Sequence, residues 1–161
     1  MIADHEQPYL LRCIELAKEA LDAGDQPFGS VLVNAEGLIM AEERNRIADG
    51  DNTQHPEFAL ARWAAKHLTV DERAQATVYT SGEHCAMCAA AHAWVGLGRI
   101  VYVSSTEQLV SWLAEFNAPP APVKPLAINQ VAPQVKVAGP ALNLSSQVYQ
   151  LHKEYYARVL T

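Results

Sequence analysis

The alternation of amphipathic helical segments with short β-branched segments restricts the fold of this chain more than any other sequence feature. Apolar residues recur at helical spacing in some segments and run continuously, as in buried strands, in others. Two strands flank a turn at 34–37 and are predicted to form an antiparallel hairpin, whereas the later strands are joined by helices and run parallel. The sequence therefore predicts an α/β fold in which a mixed sheet lies between helices.

The same pattern, together with turn and cap signals, predicts the boundaries of these elements. The predicted helices are 8–23, 55–67, 85–95, 106–116 and a last helix that we expect Ser145 to cap. The predicted strands are 28–33, 38–45, 77–81, 99–104 and 134–138. Residues 117–133 carry five prolines and no periodicity, so we expect a long loop with a functional or mobile role.

Composition and charge indicate one soluble domain that spans residues 1–161. The 12 Lys and Arg residues against 18 Asp and Glu residues give a net charge of −6. This balance argues against a nucleic-acid partner, because nucleic-acid binders concentrate positive charge. No apolar run approaches the ~20 residues of a membrane span, and the acidic N-terminus is unlike a signal peptide. We therefore expect a cytoplasmic protein with no membrane partner.

Two cysteines and a histidine carry the main functional signal. Cys85 and Cys88 are three residues apart at the start of a predicted helix, so their sulfurs face the same way, about 4.5 Å apart along the axis. The positive helix N-terminus favours thiolates, which bind zinc. His55 precedes Pro56 at the start of another predicted helix, and Glu57 follows. If the two helix starts lie side by side, three zinc ligands meet beside a glutamate, as in a catalytic zinc site.

Other interpretations of these residues stay open at this stage. His84 or His92 would complete a closed structural zinc site, which would make the chain a binding module without catalysis, but such a site has no use for Glu57. A redox C-x-x-C motif explains neither His55 nor Glu57. We expect His92 to be a buried histidine within its helix and Cys13 to be a core residue. The histidines without a surrounding motif are predicted to be solvated: His5, His67 and His152.

The two motifs together resemble the signature of the zinc-dependent cytidine deaminase superfamily. They are His55-Pro56-Glu57 and Glu83-His84-Cys85-Ala86-Met87-Cys88. The resemblance implies a three-layer α/β/α sandwich with a five-stranded mixed sheet. It also implies one Zn²⁺ per chain, with His55, Cys85 and Cys88 as its ligands, and Glu57 as the catalytic proton carrier.

A second resemblance concerns the substrate. Residues 27–33 resemble the first strand of the guanine deaminase branch, and residues 43–46 resemble the end of the second strand in that branch and in tRNA adenosine deaminases. This implies that Asn45 and an apolar wall containing Phe28 bind the base. The expected substrate is a free aminated nucleobase or analogue, namely guanine, isoguanine, azacytosine or another aminotriazine. A cytosine, cytidine or adenosine deaminase is the alternative, and a homodimer is expected in either case.

Two positions depart from the family pattern. His84 stands where the family has a proline before the first cysteine, and Pro56 replaces a small residue between the ligand histidine and the glutamate. Because Pro56 has no N–H, it cannot hold a substrate carbonyl group with its backbone. Several aromatic residues near the C-terminus are expected to pack in the core or an interface, or else to close over the pocket with residues 117–133: Trp112, Phe116, Tyr155 and Tyr156.

Overall fold

The computed structural model describes all 161 residues and contains one five-stranded sheet. The strands are β1 (Gly29–Val33), β2 (Ile39–Arg44), β3 (Thr77–Gly82), β4 (Arg99–Ser104) and β5 (Val137–Ala138). Their order across the sheet is β2-β1-β3-β4-β5. β1 pairs antiparallel with β2 and β3, whereas β3, β4 and β5 run parallel. The predicted mixed sheet is therefore confirmed.

Seven α-helices connect and cover the strands. They are α1 (Gln7–Asp22), α2 (Pro56–His67), α3 (Val70–Gln75), α4 (Ala86–Trp94), α5 (Thr106–Glu115), α6 (Ile128–Val131) and α7 (Leu142–Val159). Two short 3-10 helices, Asp4–Glu6 and Ile47–Asp49, precede α1 and follow β2. None of the helices combines the length with the apolar composition that crossing a bilayer requires.

Helices cover both faces of the sheet, which produces three layers. On one face α1 and α7 pack over Val31 of β1, and Val148 of α7 is fully buried in the same cluster. On the other face Leu32 of β1 is buried against Leu60 of α2, and α4 lies beside α2. Val31 and Leu32 are neighbours on opposite faces, as the alternation of a strand requires. Full burial of each such side chain stabilises the fold by roughly 1.5–3 kcal/mol.

Gly29 allows α1 to lie directly on β1. A Cβ atom at this position would lie 2.4 Å from the Cβ of Leu16 and 2.5 Å from the carbonyl oxygen of Cys13. Cys13 itself is fully buried, as the sequence predicts. This close contact fixes the start of β1, and with it the neighbouring residue Phe28.

The predicted cap of the last helix is wrong. The helix begins at Leu142, and Ser145 lies within its first turn. Ser145 is buried, with its hydroxyl oxygen 3.1 Å from the carbonyl oxygens of both Val103 and Ala141. The hydroxyl group thus bonds to the adjacent strand β4. A serine that bonds to a neighbouring strand looks the same in the sequence as one that caps a helix.

The sequence pattern also missed two short helices. The helix α3 follows Thr69, whose hydroxyl accepts a hydrogen bond from the N–H of Glu72 while the Glu72 carboxylate accepts one from Thr69. This capping box is visible in the sequence as T-x-x-E. The helix α6 lies inside the predicted loop 117–133, and its residue Ile128 is 1% exposed. The Ile128 N–H donates to Glu83, 45 positions earlier, which no local pattern could indicate.

Candidate active site

The candidate metal ligands come from the N-termini of α2 and α4, which lie side by side. His55 is the residue before α2, with an extended backbone, and Pro56 occupies the first helical position. Cys85 is the residue before α4, and Cys88 lies in its first turn. Both helix starts are therefore where the sequence predicts them, and they bring the three side chains together.

The ligand atoms of these three residues all lie within 4.8 Å of one another. The Nδ1 atom of His55 is 3.6 Å from the Sγ atom of Cys85 and 3.6 Å from that of Cys88. In a tetrahedral site with Zn–N of about 2.0–2.1 Å and Zn–S of about 2.3 Å, a nitrogen and a sulfur ligand are about 3.6 Å apart. The three side chains are thus positioned to bind one zinc ion.

The surroundings of the cluster favour the thiolate form at one of its two cysteines, Cys85, whereas the hydrogen bond to Cys85 and burial raise the pKa of Cys88. Hydrogen bonds from Cys88 and His55, against the opposing effect of burial, lower the pKa of Cys85 to about 4. The N-terminus of α4 adds a positive partial charge beside both sulfurs. Because the thiolate is the form that binds zinc, the cluster offers a charged ligand at neutral pH before any metal arrives.

Glu57 lies in the first turn of α2 and is 5% exposed. Its Oε1 atom accepts a hydrogen bond of 2.8 Å from the hydroxyl group of Thr80 on β3. Burial raises the pKa of Glu57 above the ordinary value of a glutamate, while His55 and Thr80 act in the opposite direction. A buried carboxyl group of raised pKa beside metal ligands is suited to take up and release a proton.

No fourth His, Cys, Asp or Glu side chain belongs to the cluster. The Nε2 atom of His92 lies 2.8 Å from the carbonyl oxygen of Gly98, and His84 packs edge-on against His92 with ring centroids 5.4 Å apart. Both rings are buried, so His92 is the buried helix histidine that we predicted. With three protein ligands, a tetrahedral zinc ion keeps one position for water or substrate.

Asn45 and Phe28 lie next to each other where the hairpin opens. The backbone N–H of Asn45 donates to the carbonyl oxygen of Phe28 over 3.0 Å. Asn45 is fully buried, its Nδ2 donates to the carbonyl oxygen of Gln26, and its Oδ1 has no protein partner. Phe28 is half-buried and contacts Gly82, where a Cβ atom would lie 2.9 Å from its ring. Since Gly82 leads into Cys85, the Phe28 ring lies beside the segment that carries the metal ligands.

Comparison with known families decides what this site belongs to. Residues 3–104 match the model of the cytidine and deoxycytidylate deaminase zinc-binding region. The chain belongs to this deaminase family. The matched segment contains both motifs, from His55 to Cys88, so the predicted family and its zinc cofactor are confirmed.

Curated relatives and a solved structure agree with this assignment. A probable cytosine deaminase of Schizosaccharomyces pombe is 33% identical to this chain over 128 residues, which cover 80% of this chain and 75% of that protein. The guanine deaminase of Bacillus subtilis is 34% identical over 102 residues, 62% of this chain and 65% of that protein. The structure of a guanine deaminase from Nitrosomonas europaea has a TM-score of 0.70 at 19% identity, over 98% of this chain and 86% of that one. The deaminase thus has the predicted fold and is a hydrolase that acts on C–N bonds.

The C-terminal helix of the deaminase lies behind Phe28. His152 of α7 packs edge-on against Phe28, and the hydroxyl group of Tyr156 accepts a hydrogen bond of 3.1 Å from Gln26. The prediction that His152 is solvated is therefore wrong, since it is 1% exposed and neither ring nitrogen has a hydrogen-bond partner. The sequence could not indicate this, because Phe28 and the other neighbouring ring, Trp112, come from distant segments.

The C-terminal aromatic residues pack against one another between α5 and α7. Trp112 contacts Tyr149 with ring centroids 5.5 Å apart, and Phe116 contacts Tyr156 at 6.0 Å. Through its bond to Gln26, Tyr156 also reaches the residue that holds the side chain of Asn45. These aromatic side chains therefore form a cluster, mostly half-buried, that adjoins Gln26.

Sequence reasoning missed three residues that support the site: Thr80, Gln26 and Glu83. The carboxylate of Glu83 accepts the N–H groups of Thr106 and Ile128 and so ties α5 and α6 to the segment before Cys85. Its position inside the second motif was the only available signal. The sequence contains no signal for Thr80 and Gln26, because their hydrogen-bond partners depend on strand register and on how distant segments pack.

Proposed function

We propose that this deaminase hydrolyses the amino group of a free aminated nucleobase or analogue and releases ammonia. The observation that carries the proposal is the cluster of His55, Cys85 and Cys88, with no fourth protein ligand, next to the buried carboxyl group of Glu57. A structural zinc site is closed by four protein ligands, whereas a hydrolytic one keeps a position for water. The arrangement therefore favours catalysis over a binding module.

Glu57 is the proton carrier in the proposed reaction. Zinc supplies a Lewis acid at this site, which lowers the pKa of water from 15.7 toward ~7. Glu57 accepts a proton from the attacking water and delivers it to the ring nitrogen beside the reacting carbon. It then passes the second proton of the water to the departing amine. The C–N bond to the amino group breaks, ammonia leaves, and the ring carbon keeps the oxygen as a carbonyl group.

Asn45 and Phe28 are the proposed substrate-binding residues. Because Nδ2 of Asn45 is already bound to Gln26, the side chain offers an acceptor, Oδ1, to an N–H group on the edge of the base. The ring of Phe28, which is partly exposed, offers a flat apolar surface to the base. Pro56 contributes no N–H donor between His55 and Glu57, so the recognition of a substrate carbonyl group must come from elsewhere.

The preferred substrate in this proposal is guanine or a close analogue, that is isoguanine, azacytosine or another aminotriazine. The Phe28-Gly29 segment resembles the guanine deaminase branch, and the relative from Bacillus subtilis carries that name. Cytosine is the second candidate, because the relative from Schizosaccharomyces pombe covers 80% of this chain. Both candidates are free bases. The net charge of −6 disfavours tRNA or single-stranded DNA, whose phosphates attract cationic surfaces.

We further propose that the enzyme works in the cytoplasm as a homodimer. All three cysteines are free, and the zinc ligands among them must stay reduced, as they do in a reducing compartment. Two-fold dimers are the commonest soluble assemblies. Sedimentation of the purified zinc-loaded protein would measure the assembly directly.

A substrate panel tests the proposal. Ammonia release is measured with the zinc-loaded protein for guanine, isoguanine, azacytosine, cytosine, cytidine, adenosine and a tRNA stem-loop. We expect a free base of the guanine class to have the highest kcat/KM. If cytidine or the stem-loop is the best substrate, the free-base assignment is wrong. If none of the compounds releases ammonia, the proposed substrate class is wrong.

A further inference from the structure

A column of buried hydroxyl groups leads from the sheet to Glu57. Thr80 on β3 lies directly opposite Ser30 on β1, and both side chains are fully buried. The Ser30 hydroxyl is 2.8 Å from Oγ1 of Thr80, which is in turn 2.8 Å from Oε1 of Glu57. The carbonyl oxygen of Gly82 lies 3.0 Å from the same Thr80 atom. Three oxygen atoms therefore surround one hydroxyl group that has a single proton.

The assignment of donors in this column follows from counting protons. Ser30 has no hydrogen-bond partner other than Thr80, so its buried proton is used only if Ser30 donates to Thr80. Thr80 is then free to donate to Glu57 or to Gly82. The contact with the carboxylate is shorter, and a hydrogen bond to a charged acceptor is the stronger of the two. The Thr80 proton therefore points to Oε1 of Glu57.

This bond makes the two oxygens of Glu57 different. Oε1 is held by Thr80, and Glu57 accepts no hydrogen bond from any other side chain. We propose that Thr80 is a positioning residue that anchors Oε1, so that Oε2 takes the proton from water and delivers it to the base. The proposal rests on the proposed deaminase function and names the atom of Glu57 that moves the proton.

The physical gain is a carboxyl group with one orientation. A glutamate whose carboxyl group is not held by a neighbour samples several rotamers. Proton transfer, however, needs a heavy-atom distance of about 2.6–3.2 Å. Oε1 accepts from Thr80 whether or not Oε2 carries a proton, so the anchor survives the whole reaction cycle. A merely structural hydroxyl group would satisfy Gly82 and Ser30 and leave the rate unchanged.

Kinetics of three variants test the proposal in the zinc-loaded enzyme. Thr80→Val keeps the shape of the side chain and removes the hydroxyl group. We expect it to lower kcat by about 10- to 100-fold with little change in KM and zinc content, as for the loss of a hydrogen bond to a charged group. Thr80→Ser keeps the hydroxyl group and should recover kcat to within about threefold of the wild type. Ser30→Ala is the matched control, because Thr80 can still donate to Glu57 in it.

Removal of the Thr80 hydroxyl also leaves the Ser30 proton buried without an acceptor, which could destabilise the fold. The double variant Ser30→Ala/Thr80→Val removes both groups and separates the two effects. We expect it to regain thermal stability relative to Thr80→Val while kcat stays low. A kcat of Thr80→Val within about threefold of wild type, or a Thr80→Ser variant as slow as Thr80→Val, would overturn the proposal.

Infrared difference spectroscopy supplies a readout that does not depend on turnover. The carboxyl band of Glu57 is identified by its loss in Glu57→Gln, and we expect this band to shift in Thr80→Val and to stay in place in Ser30→Ala. An unchanged band in Thr80→Val would refute the anchor. If the wild type deaminates no base while the band shifts, the proposed function fails and the bond between Thr80 and Glu57 stands.

Discussion

Phe28 and His152 lie edge to face, with their ring centroids 4.9 Å apart and their ring planes at 67°. The contact joins the segment before β1 to a helix near the other end of the chain, and it places a buried imidazole behind the proposed substrate wall. His152 has no hydrogen-bond partner on either ring nitrogen. A buried polar group in this state costs about 1–3 kcal/mol of stability.

This contact predicts how the stability of the protein depends on pH. Burial lowers the pKa of His152 to about 3, whereas an unfolded histidine has a pKa of about 6.5. Between these values the unfolded chain binds more protons than the folded one, so the free energy of unfolding falls as the pH falls below about 6.5. The stability that depends on a neutral His152 is fully present above about pH 6.5 and is lost progressively toward pH 3, by roughly 3 kcal/mol at pH 4.5.

Denaturant unfolding of His152→Phe at about pH 7 and about pH 4.5 measures this effect. The variant should be at least as stable as wild type near neutrality and should lose less stability in acid. The exposed residue His5 supplies the control variant His5→Phe, which should follow the wild type at both pH values. Equal acid sensitivity of His152→Phe and wild type would contradict the prediction.

The zinc content of the protein should follow the three-ligand cluster. We expect about one zinc per chain in the wild type, and a large loss of zinc in each of His55→Ala, Cys85→Ser and Cys88→Ser, since a tetrahedral site with two protein ligands binds weakly. Cys13 is buried in the core on α1, so Cys13→Ala should keep its zinc. Elemental analysis of the purified variants is the measurement. Full zinc occupancy in His55→Ala would remove His55 from the ligand set.

Replacement of Glu57 should separate chemistry from structure. We expect Glu57→Gln to keep the fold and the zinc and to lose at least about 10²-fold in kcat, because an amide cannot carry a proton. Glu36→Gln in the exposed hairpin turn is the control and should keep full activity. Initial rates and zinc content are measured on the same preparations. A Glu57→Gln enzyme with a third of the wild-type rate would show that Glu57 does not carry the proton in the reaction.

Asn45 should contribute to substrate binding and not to zinc binding. Its Oδ1 atom is buried and lacks a protein partner, so we expect Asn45→Ala to lose about 10- to 100-fold in kcat/KM with the best base. Zinc content should stay unchanged. Asn143→Ala, at an exposed position on α7, is the control. Unchanged kcat/KM in Asn45→Ala would remove this residue from the base-binding site.

Local sequence patterns were enough to predict the elements that carry the metal site. Pro56 marks the start of α2, and the C-x-x-C spacing places Cys85 and Cys88 at the start of α4. Helix starts depend on a few neighbouring residues, so they can be recognised from local sequence patterns. The mixed sheet also followed from the sequence, because a short turn favours antiparallel strands and a helical crossover favours parallel ones.

Contacts between distant segments could not be predicted in this way. The burial of His152, the bond of Ser145 to β4 and the anchoring of Ile128 by Glu83 all depend on neighbours far along the chain. A polar residue without a local motif looks solvated in the sequence, and only the path of the chain reveals what covers it.

The sequence by itself thus determined the candidate site of this protein: the three side chains positioned to bind zinc, the neighbouring glutamate and the helix starts that present them. The tertiary structure alone decided how that glutamate is held and what lies behind the proposed substrate wall. The hydrogen bond between Thr80 and Glu57 depends on the pairing of β1 with β3 and on the packing of α2 over the sheet. Such contacts require strand register and helix docking, and these arise from the packing of the whole core, which no short segment of sequence encodes.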